Sequence, residues 1–461
     1  MAGDAVHRED YMSELALIKK RGKENYSTWK EEYQAKLTTA EEAAKVVQSG
    51  ESVFFGGGTG IPTAFATALG KRAHELTGIT ISQGYAMGLF DYMKPENKER
   101  FQIETMFVGP MERICMEWGV AQLKPMHLSE IPAAAVHAQC KRVAFVASPP
   151  DENGYMNRSC FGSFLPNEEC VRPAETIIVE VNKNAPRLNS DDFKIHVSDV
   201  DMIIENDFPM FELPEIPIMD EEKLIAQYIA DLIPDGSCIQ IGLGGLANAV
   251  GYLLHEKNDL GMHAEVVSPS VAELVKMGVL NGAKKNFMPG KVVSAFAVGT
   301  KKFYEEITDN ENFYFKEVGW VNNPDIIAQN DNLVSINNTL MMDLTGQAAS
   351  ESIGIKQYSA TGGQLDFILG ARKSKNGKSI LALNSTYTDK EGKLQTKIMP
   401  TLPVGTVVTT PRTLVQYVIT EYGVANLRLR TVKERVQALI GIAHPDFRDQ
   451  LTFEAKKNGW L

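Results

Sequence analysis

GSCIQIGLGGLANAVGYLLHEKNDLGMHAEVVSPSV, residues 236–271, is the stretch from which the fold class follows. An apolar run, Cys238-Ile239-Gln240-Ile241, leads into the glycine turn Gly242-Leu243-Gly244-Gly245. A helical stretch from Ala247 to His255 comes next, then a second apolar run, His263 to Val267, which carries Glu265. Strand, glycine turn, helix and strand in so short a span make a βαβ unit, whose two strands are parallel neighbours. Such strands are covered on both faces and read as near-continuous apolar runs. A glutamate there is costly to bury and requires partners or a function. The loop is not the dinucleotide fingerprint Gly-x-Gly-x-x-Gly, because Ala247 stands in the last place, although an alanine variant of that fingerprint exists. A strand glutamate can also sit at an exposed strand end, and spacing alone leaves that reading open beside the functional one.

The pattern occurs twice. Gly50-Glu51-Ser52-Val53-Phe54-Phe55-Gly56-Gly57-Gly58 matches residues 236–244 in glycine placement, and a helix from Thr63 to Leu76 leads to Gly78-Ile79-Thr80-Ile81-Ser82 as the second copy leads to Glu265. The glutamate belongs to the second copy, with Ser82 or a neighbour in its place in the first. Gly56-Gly57-Gly58-Thr59-Gly60 is expected to face the same cleft from the other side. The three prolines of Pro209-Met210-Phe211-Glu212-Leu213-Pro214-Glu215-Ile216-Pro217 favour an extended linker. Short runs at Val143–Val146, Thr176–Val181, Met202–Ile204 and Val292–Phe296 read as further strands. The expected class is α/β, with two similar open α/β domains, 37–208 and 221–461, joined by a linker over 209–220. Residues 1–36 read as a helical extension in which Tyr26, Trp29, Tyr33 and Leu37 fall at helical spacing and dock on the body or on a second subunit. The active site is expected in the cleft between the domains, at the carboxyl ends of parallel strands.

From about Leu37 onward the chain resembles the acetyl-CoA hydrolase/transferase family, within the class I CoA-transferases that use a glutamate nucleophile. The resemblance is carried by Ser335-Ile336-Asn337, Asp343-Leu344-Thr345-Gly346-Gln347, Thr361-Gly362-Gly363-Gln364-Leu365-Asp366-Phe367, Thr420-Glu421-Tyr422-Gly423-Val424-Ala425 and Ile442-Ala443-His444-Pro445-Asp446-Phe447-Arg448. It is strongest toward the butyrate and 4-hydroxybutyrate CoA-transferases. In that family the nucleophile lies in a His-x-Glu strand after the glycine loop, the place of His263-Ala264-Glu265. The resemblance implies acyl-CoA:carboxylate transfer by covalent relay on Glu265, with CoA as a substrate, no permanently bound cofactor and no metal. It places CoA contacts at Gly242, Leu243, Gly244, Gly245, Leu246, Leu340, Gly363 and Lys390. Gly362 and Gln364 join Gly363 as candidates for the loop that supplies oxyanion donors, because glycine backbone approaches a ligand closely. Short-chain acyl-CoA and a short-chain carboxylate are the expected partners, and a homodimer or higher homo-oligomer the expected assembly. Hydrolysis through the same glutamate is one alternative, and a nucleotide-binding regulatory α/β protein is another. After the nucleophile the family usually continues Ser-Asp-Gly-Val, whereas Ser268-Pro269-Ser270-Val271 stands here. A proline that fixes φ beside the nucleophile is expected to reshape the acyl pocket. His444 reads as a cap or turn near the end of the chain rather than as a catalytic group.

Composition excludes other classes. With 461 residues the chain has room for two or three cores, and 44% hydrophobic with 23% charged residues is ordinary for a soluble enzyme. A net charge of −11 argues against nucleic acid, which requires a basic face. Neither a membrane-spanning run nor the apolar core of a secretory signal is present, so a cytoplasmic protein is expected. Cys115, Cys140, Cys160, Cys170 and Cys238 are odd in number and lack Cys-x-x-Cys spacing, which points to reduced thiols. Lys276, Lys284, Lys285, Lys291, Lys301 and Lys302 read as a solvated face.

Overall fold

A computed structural model describes residues 26–214 and 217–461. Residues 1–25 of the expected extension, and Glu215 and Ile216 of the linker, lie outside the described residues. The first sheet contains β1 (Ser52–Phe55), β2 (Ile79–Gln83), β3 (Phe101–Thr105), β4 (Ala121–Leu123), β5 (Arg142–Ala147), β6 (Thr176–Val181) and β7 (Met202–Glu205). They lie in the order β4-β3-β2-β1-β5-β6-β7, every pair parallel. The second sheet contains β8 (Cys238–Gln240), β9 (Gly261–Val267), β10 (Val292–Ala297), β11 (Phe313–Phe315), β12 (Leu333–Asn338), β13 (Lys378–Ala382), β14 (Tyr417–Thr420) and β15 (Gly423–Asn426). Their order is β11-β10-β9-β8-β12-β13-β14-β15, parallel up to the antiparallel pair at the end.

The two sheets are wound alike. In each, the first strand is internal, three strands are added on one side of it, and the order then switches to the other side. A doubly wound sheet opens a crevice at that switch, beyond the carboxyl ends of the strands. In the second sheet the switch lies between β8 and β12, with β9 on the other flank of β8. The strands are apolar because both faces are covered: all of β12 up to Ile336, all of β10 and Val143 to Ala147 of β5 are buried.

The expected N-terminal helix is α1 (Trp29–Lys36), capped by the Thr28 hydroxyl. It docks on its own body: Tyr33 is buried with its hydroxyl on Glu205 (3.0 Å), and the Trp29 indole donates to the Glu152 carbonyl (3.2 Å). The helix after the first glycine loop, α2 (Thr63–Lys71), stops short of Leu76. Its counterpart after the second loop is α3 (Gly245–Leu253).

Three expectations are corrected. The Gly56–Gly60 loop does not open toward the cleft; it is packed under Phe161, whose ring would collide with any Cβ at Gly58. Phe161 in turn packs on Phe164 and on Phe296 of the second sheet, with ring centroids 5.5 and 4.9 Å away. Pro269, expected to reshape the acyl pocket, does not line it; it is the first residue of α4 (Pro269–Lys276), where a missing N–H costs nothing. Lys285 does not belong to a solvated face; it is buried, with its ammonium on the Met262 and Lys291 carbonyls.

Candidate active site

Glu265 lies on β9 beside the switch point, and its carboxylate faces a cavity of about 360 Å³. The Gly242 turn forms one wall of the cavity and the Thr361–Gln364 segment another. Phe107, from the loop after β3 of the first sheet, also lines it, so both halves of the chain contribute.

The carboxylate is held by two donors. Asn322 Nδ2 donates to Glu265 Oε2 at 2.8 Å, and the Gly363 backbone N–H donates to the same carboxylate. Gly363 is the N-cap of α6, numbered here after the short helix α5 (Val318–Val321) that precedes Asn322; α6 spans Gln364–Lys373. The carboxylate therefore sits at a helix N-terminus, where backbone N–H groups and the helix dipole favour an anion. The approach leaves no room for a side chain: a Cβ at Gly363 would overlap Glu265 Oε2 and Asn322 Nδ2. Burial nevertheless dominates and pushes the Glu265 carboxyl from 4.5 up to about 7, reinforced by the negative charge of Asp366 and opposed by the two donors. Near neutral pH the group is thus poised between acid and carboxylate.

His263, two residues earlier on the same face of β9, is fully buried against Trp320 and Phe367. Its Nε2–H donates to the Val321 carbonyl at 2.8 Å, and burial lowers its pKa to about 3, so the ring is neutral. That bond fixes the residue immediately before Asn322. On the far side of Asn322 stands Asp366, in the first turn of α6 and 2% exposed. Its carboxylate accepts from the Ser129 N–H (3.2 Å), the Ser129 hydroxyl (2.8 Å) and the Asn322 side chain. Burial raises its pKa as well. Ser129 belongs to the first half of the chain, and next to it the Leu128 N–H donates to the Gly362 carbonyl at 3.2 Å.

Of the residues singled out in the sequence, Gly242, Leu243, Leu246, Leu340, Gly362, Gly363 and Gln364 line the cavity with Glu265. Gln364 is tied through Nε2 to the Thr410 hydroxyl at 3.0 Å. Gly244, at φ 111, makes the turn into α3, and Gly245 begins that helix; neither is on the cavity wall. Lys390 is exposed at the tip of the hairpin formed by Thr386–Thr388 and Leu394–Thr396, off the wall of the cavity. Pro269 and Ser270 do not line it either. Sequence reading missed Asn322 and Phe107. Val321-Asn322-Asn323-Pro324 carries a turn signal but nothing that marks a ligand to a carboxylate. His444 is the N-cap of α7 (Pro445–Lys457), and Glu421 accepts from the Ser385 N–H at 2.9 Å. Among the described residues no cluster of His, Cys, Asp and Glu could hold a metal ion, and no helix is long and apolar enough to cross a membrane.

Comparison with known proteins places this geometry in context. The model of the acetyl-CoA hydrolase/transferase N-terminal domain matches residues 18–212, and that of the C-terminal domain matches residues 299–455. The segment that holds the glycine turn and Glu265 lies between the two matches. The 4-hydroxybutyrate coenzyme A transferase of Clostridium kluyveri is 42% identical over 93% of this chain and 99% of its own length. The butyryl-CoA:acetate CoA-transferase of Anaerostipes caccae is 40% identical over 93% of this chain and 98% of its own. Among solved structures, RipA from Yersinia pestis superposes with a TM-score of 0.87 at 36% identity, covering 94% of this chain and 100% of that one.

Proposed function

The chain belongs to the acetyl-CoA hydrolase/transferase family, and from that premise we propose that it moves coenzyme A between short-chain carboxylic acids, of the butyryl-CoA and acetate type, by covalent relay on Glu265. The observation that carries this reading is the anchoring of the Glu265 carboxylate at the cavity. Asn322 Nδ2 donates to Oε2 and the Gly363 N–H donates to the same carboxylate, while among the described residues no side-chain donor holds Oε1, which is the oxygen placed to attack. Attack on the acyl-CoA carbonyl forms an acyl-glutamyl anhydride and expels the CoA thiolate. The thiolate then attacks the glutamyl carbon, releasing the first acid and leaving a glutamyl-CoA thioester. In that second step Oε2 carries the developing negative charge, against the Asn322 donor already in place. The acceptor carboxylate repeats the two steps in reverse.

The cavity suits such a substrate. Its wall combines Leu243, Leu246, Leu340 and Phe107 with the glycine turns and with polar groups such as Gln240, Asn337 and Ser350, apolar surface for the acyl chain beside donors and acceptors for the thioester end of CoA. On this reading Gly242 to Leu246 and Leu340 lie along the bound CoA, and Lys390 meets the part of it that projects from the cavity. The active site falls between the halves 37–208 and 221–461. Phe107 and Gly362 line the cavity beside the nucleophile, where bound acyl-CoA would displace water from the anhydride.

The test is the intermediate. Butyryl-CoA without an acceptor acid is expected to load CoA onto Glu265. Borohydride then reduces the thioester to an alcohol and shifts the mass of the peptide containing His263-Ala264-Glu265. Initial rates with both substrates varied give parallel lines. Intersecting lines with an unmodified peptide refute the relay, and rapid CoA release without any acid acceptor assigns the protein to hydrolysis instead.

A further inference from the structure

The Asn322 amide is placed in an unusual way. It is fully buried, its nitrogen donates to Glu265 Oε2 at 2.8 Å with the Asp366 carboxylate drawing on the same amide, and its carbonyl oxygen Oδ1 is buried without a hydrogen-bond partner among the described residues. A buried acceptor left without a donor is destabilising, so something must hold the amide this way round. Turned over, it would press Oδ1 against two carboxylates.

We propose that Asp366 is a positioning residue for the relay: its carboxylate, fastened to the first half of the chain through Ser129, keeps the N–H side of Asn322 turned toward Glu265. The inference rests on the covalent role of Glu265 proposed above and deepens it. Both carboxylates select the observed orientation while Glu265 is ionised. Once Glu265 is an anhydride or a thioester its negative charge is gone, and its carbonyl oxygen attracts the amide much less. Asp366 stays charged at that stage and goes on holding the donor in place. That is the moment when the glutamyl oxyanion requires it. A buried carboxylate with neutral donors, and no lysine or arginine in salt-bridge contact with it among the described residues, is costly to a fold. A role in orienting Asn322 accounts for its presence.

The experiment measures the single-turnover rate of glutamyl-CoA formation from butyryl-CoA, by mass, in the full chain. Asp366→Asn is expected to slow loading by roughly tenfold to a hundredfold, with the acyl-CoA KM changed by less than about threefold, as for loss of part of an oxyanion donor. Ser129→Ala, which removes the hydroxyl donor to Asp366, slows loading several-fold, and Ser129→Thr restores it. The decisive comparison is made in the Asn322→Ala background, where both substitutions are expected to cost less than about twofold, because residues acting through one partner are not additive. An undiminished penalty in that background, or Asp366→Asn at the wild-type rate, overturns the inference. Should Asp366→Asn fail to fold, Ser129→Ala carries the same comparison. Wild-type protein that forms no adduct overturns the relay itself. Normal wild-type loading with a silent Asp366 overturns this inference alone.

Discussion

Replacing Glu265 by glutamine removes the proposed nucleophile and, at the same time, is expected to stabilise the protein in a pH-dependent way. The side chains have the same shape, and the glutamine carbonyl can accept from Asn322 Nδ2 as Glu265 Oε2 does. What disappears is the cost of holding a carboxylate in a buried place. Burial lifts the folded pKa from 4.5 to about 7. A carboxyl shifted in that direction does not penalise the fold below pH 4.5, where both states are protonated, and penalises it in full above about 7, where both are ionised. At about 1.4 kcal/mol for each pH unit between the two values, the full penalty is ~3 kcal/mol. Glu265→Gln is therefore expected to be ~3 kcal/mol more stable than wild type at pH ~8 and only ~1 kcal/mol more stable at pH ~5. For a chain of this length that is a rise in melting temperature of about 3 °C at the higher pH. Differential scanning calorimetry of both proteins at the two pH values measures it. An equal gain at both, or a loss at the higher pH, would refute the assignment of a carboxylate whose desolvation outweighs its donors.

The same titration governs activity. Only the carboxylate attacks, so kcat/KM for acyl-CoA is expected to rise with pH and level off above about 7 in initial-rate profiles; a flat profile down to pH ~5 contradicts it. Asn322→Ala removes one of the two donors on the Glu265 carboxylate, and stopped-flow or quenched assays are expected to register a loss of roughly a hundredfold to a thousandfold in turnover, with acyl-CoA binding little changed. Gly363→Ala brings a methyl group into the space of Glu265 Oε2 and Asn322 Nδ2, and it should abolish loading while leaving the circular dichroism spectrum intact. Turnover near the wild-type rate would mean that the nucleophile adopts another position during reaction.

The parts of this architecture that are local in the chain were legible before the structure. The βαβ unit around Gly242, its parallel strands and the repeat of the pattern at Gly50 all follow from glycine placement and apolar runs a few residues long. Glu265 stood out for the same reason, a charge inside an apolar strand. Asn322 did not, because it reaches the site from a turn 57 residues further on, and no periodicity links the two. Asp366 was visible within a motif, yet its role depends on Ser129, 237 residues away. The first glycine loop misled for a related reason: its residues match the second, and only the three-dimensional path of Phe161 decides that a ring fills the space a ligand would need. Lys390 sits where backbone register and hairpin length put it, and neither is encoded in the lysine.

One peptide group joins the two halves of the molecule to the nucleophile. The Gly362 carbonyl that receives the Leu128 N–H and the Gly363 N–H that holds Glu265 are opposite ends of the same planar unit. Rotating that plane would break both bonds at once, so the docked first half acts as a latch on the donor. Glycine on both sides, with Gly362 at φ 58, leaves such a plane easy to turn over once the latch is released. Were the halves to part and admit water, the site would lose a donor in the same motion, and chemistry would stop when hydrolysis became a danger. Safety and catalysis are thus wired to a single interlock in the backbone.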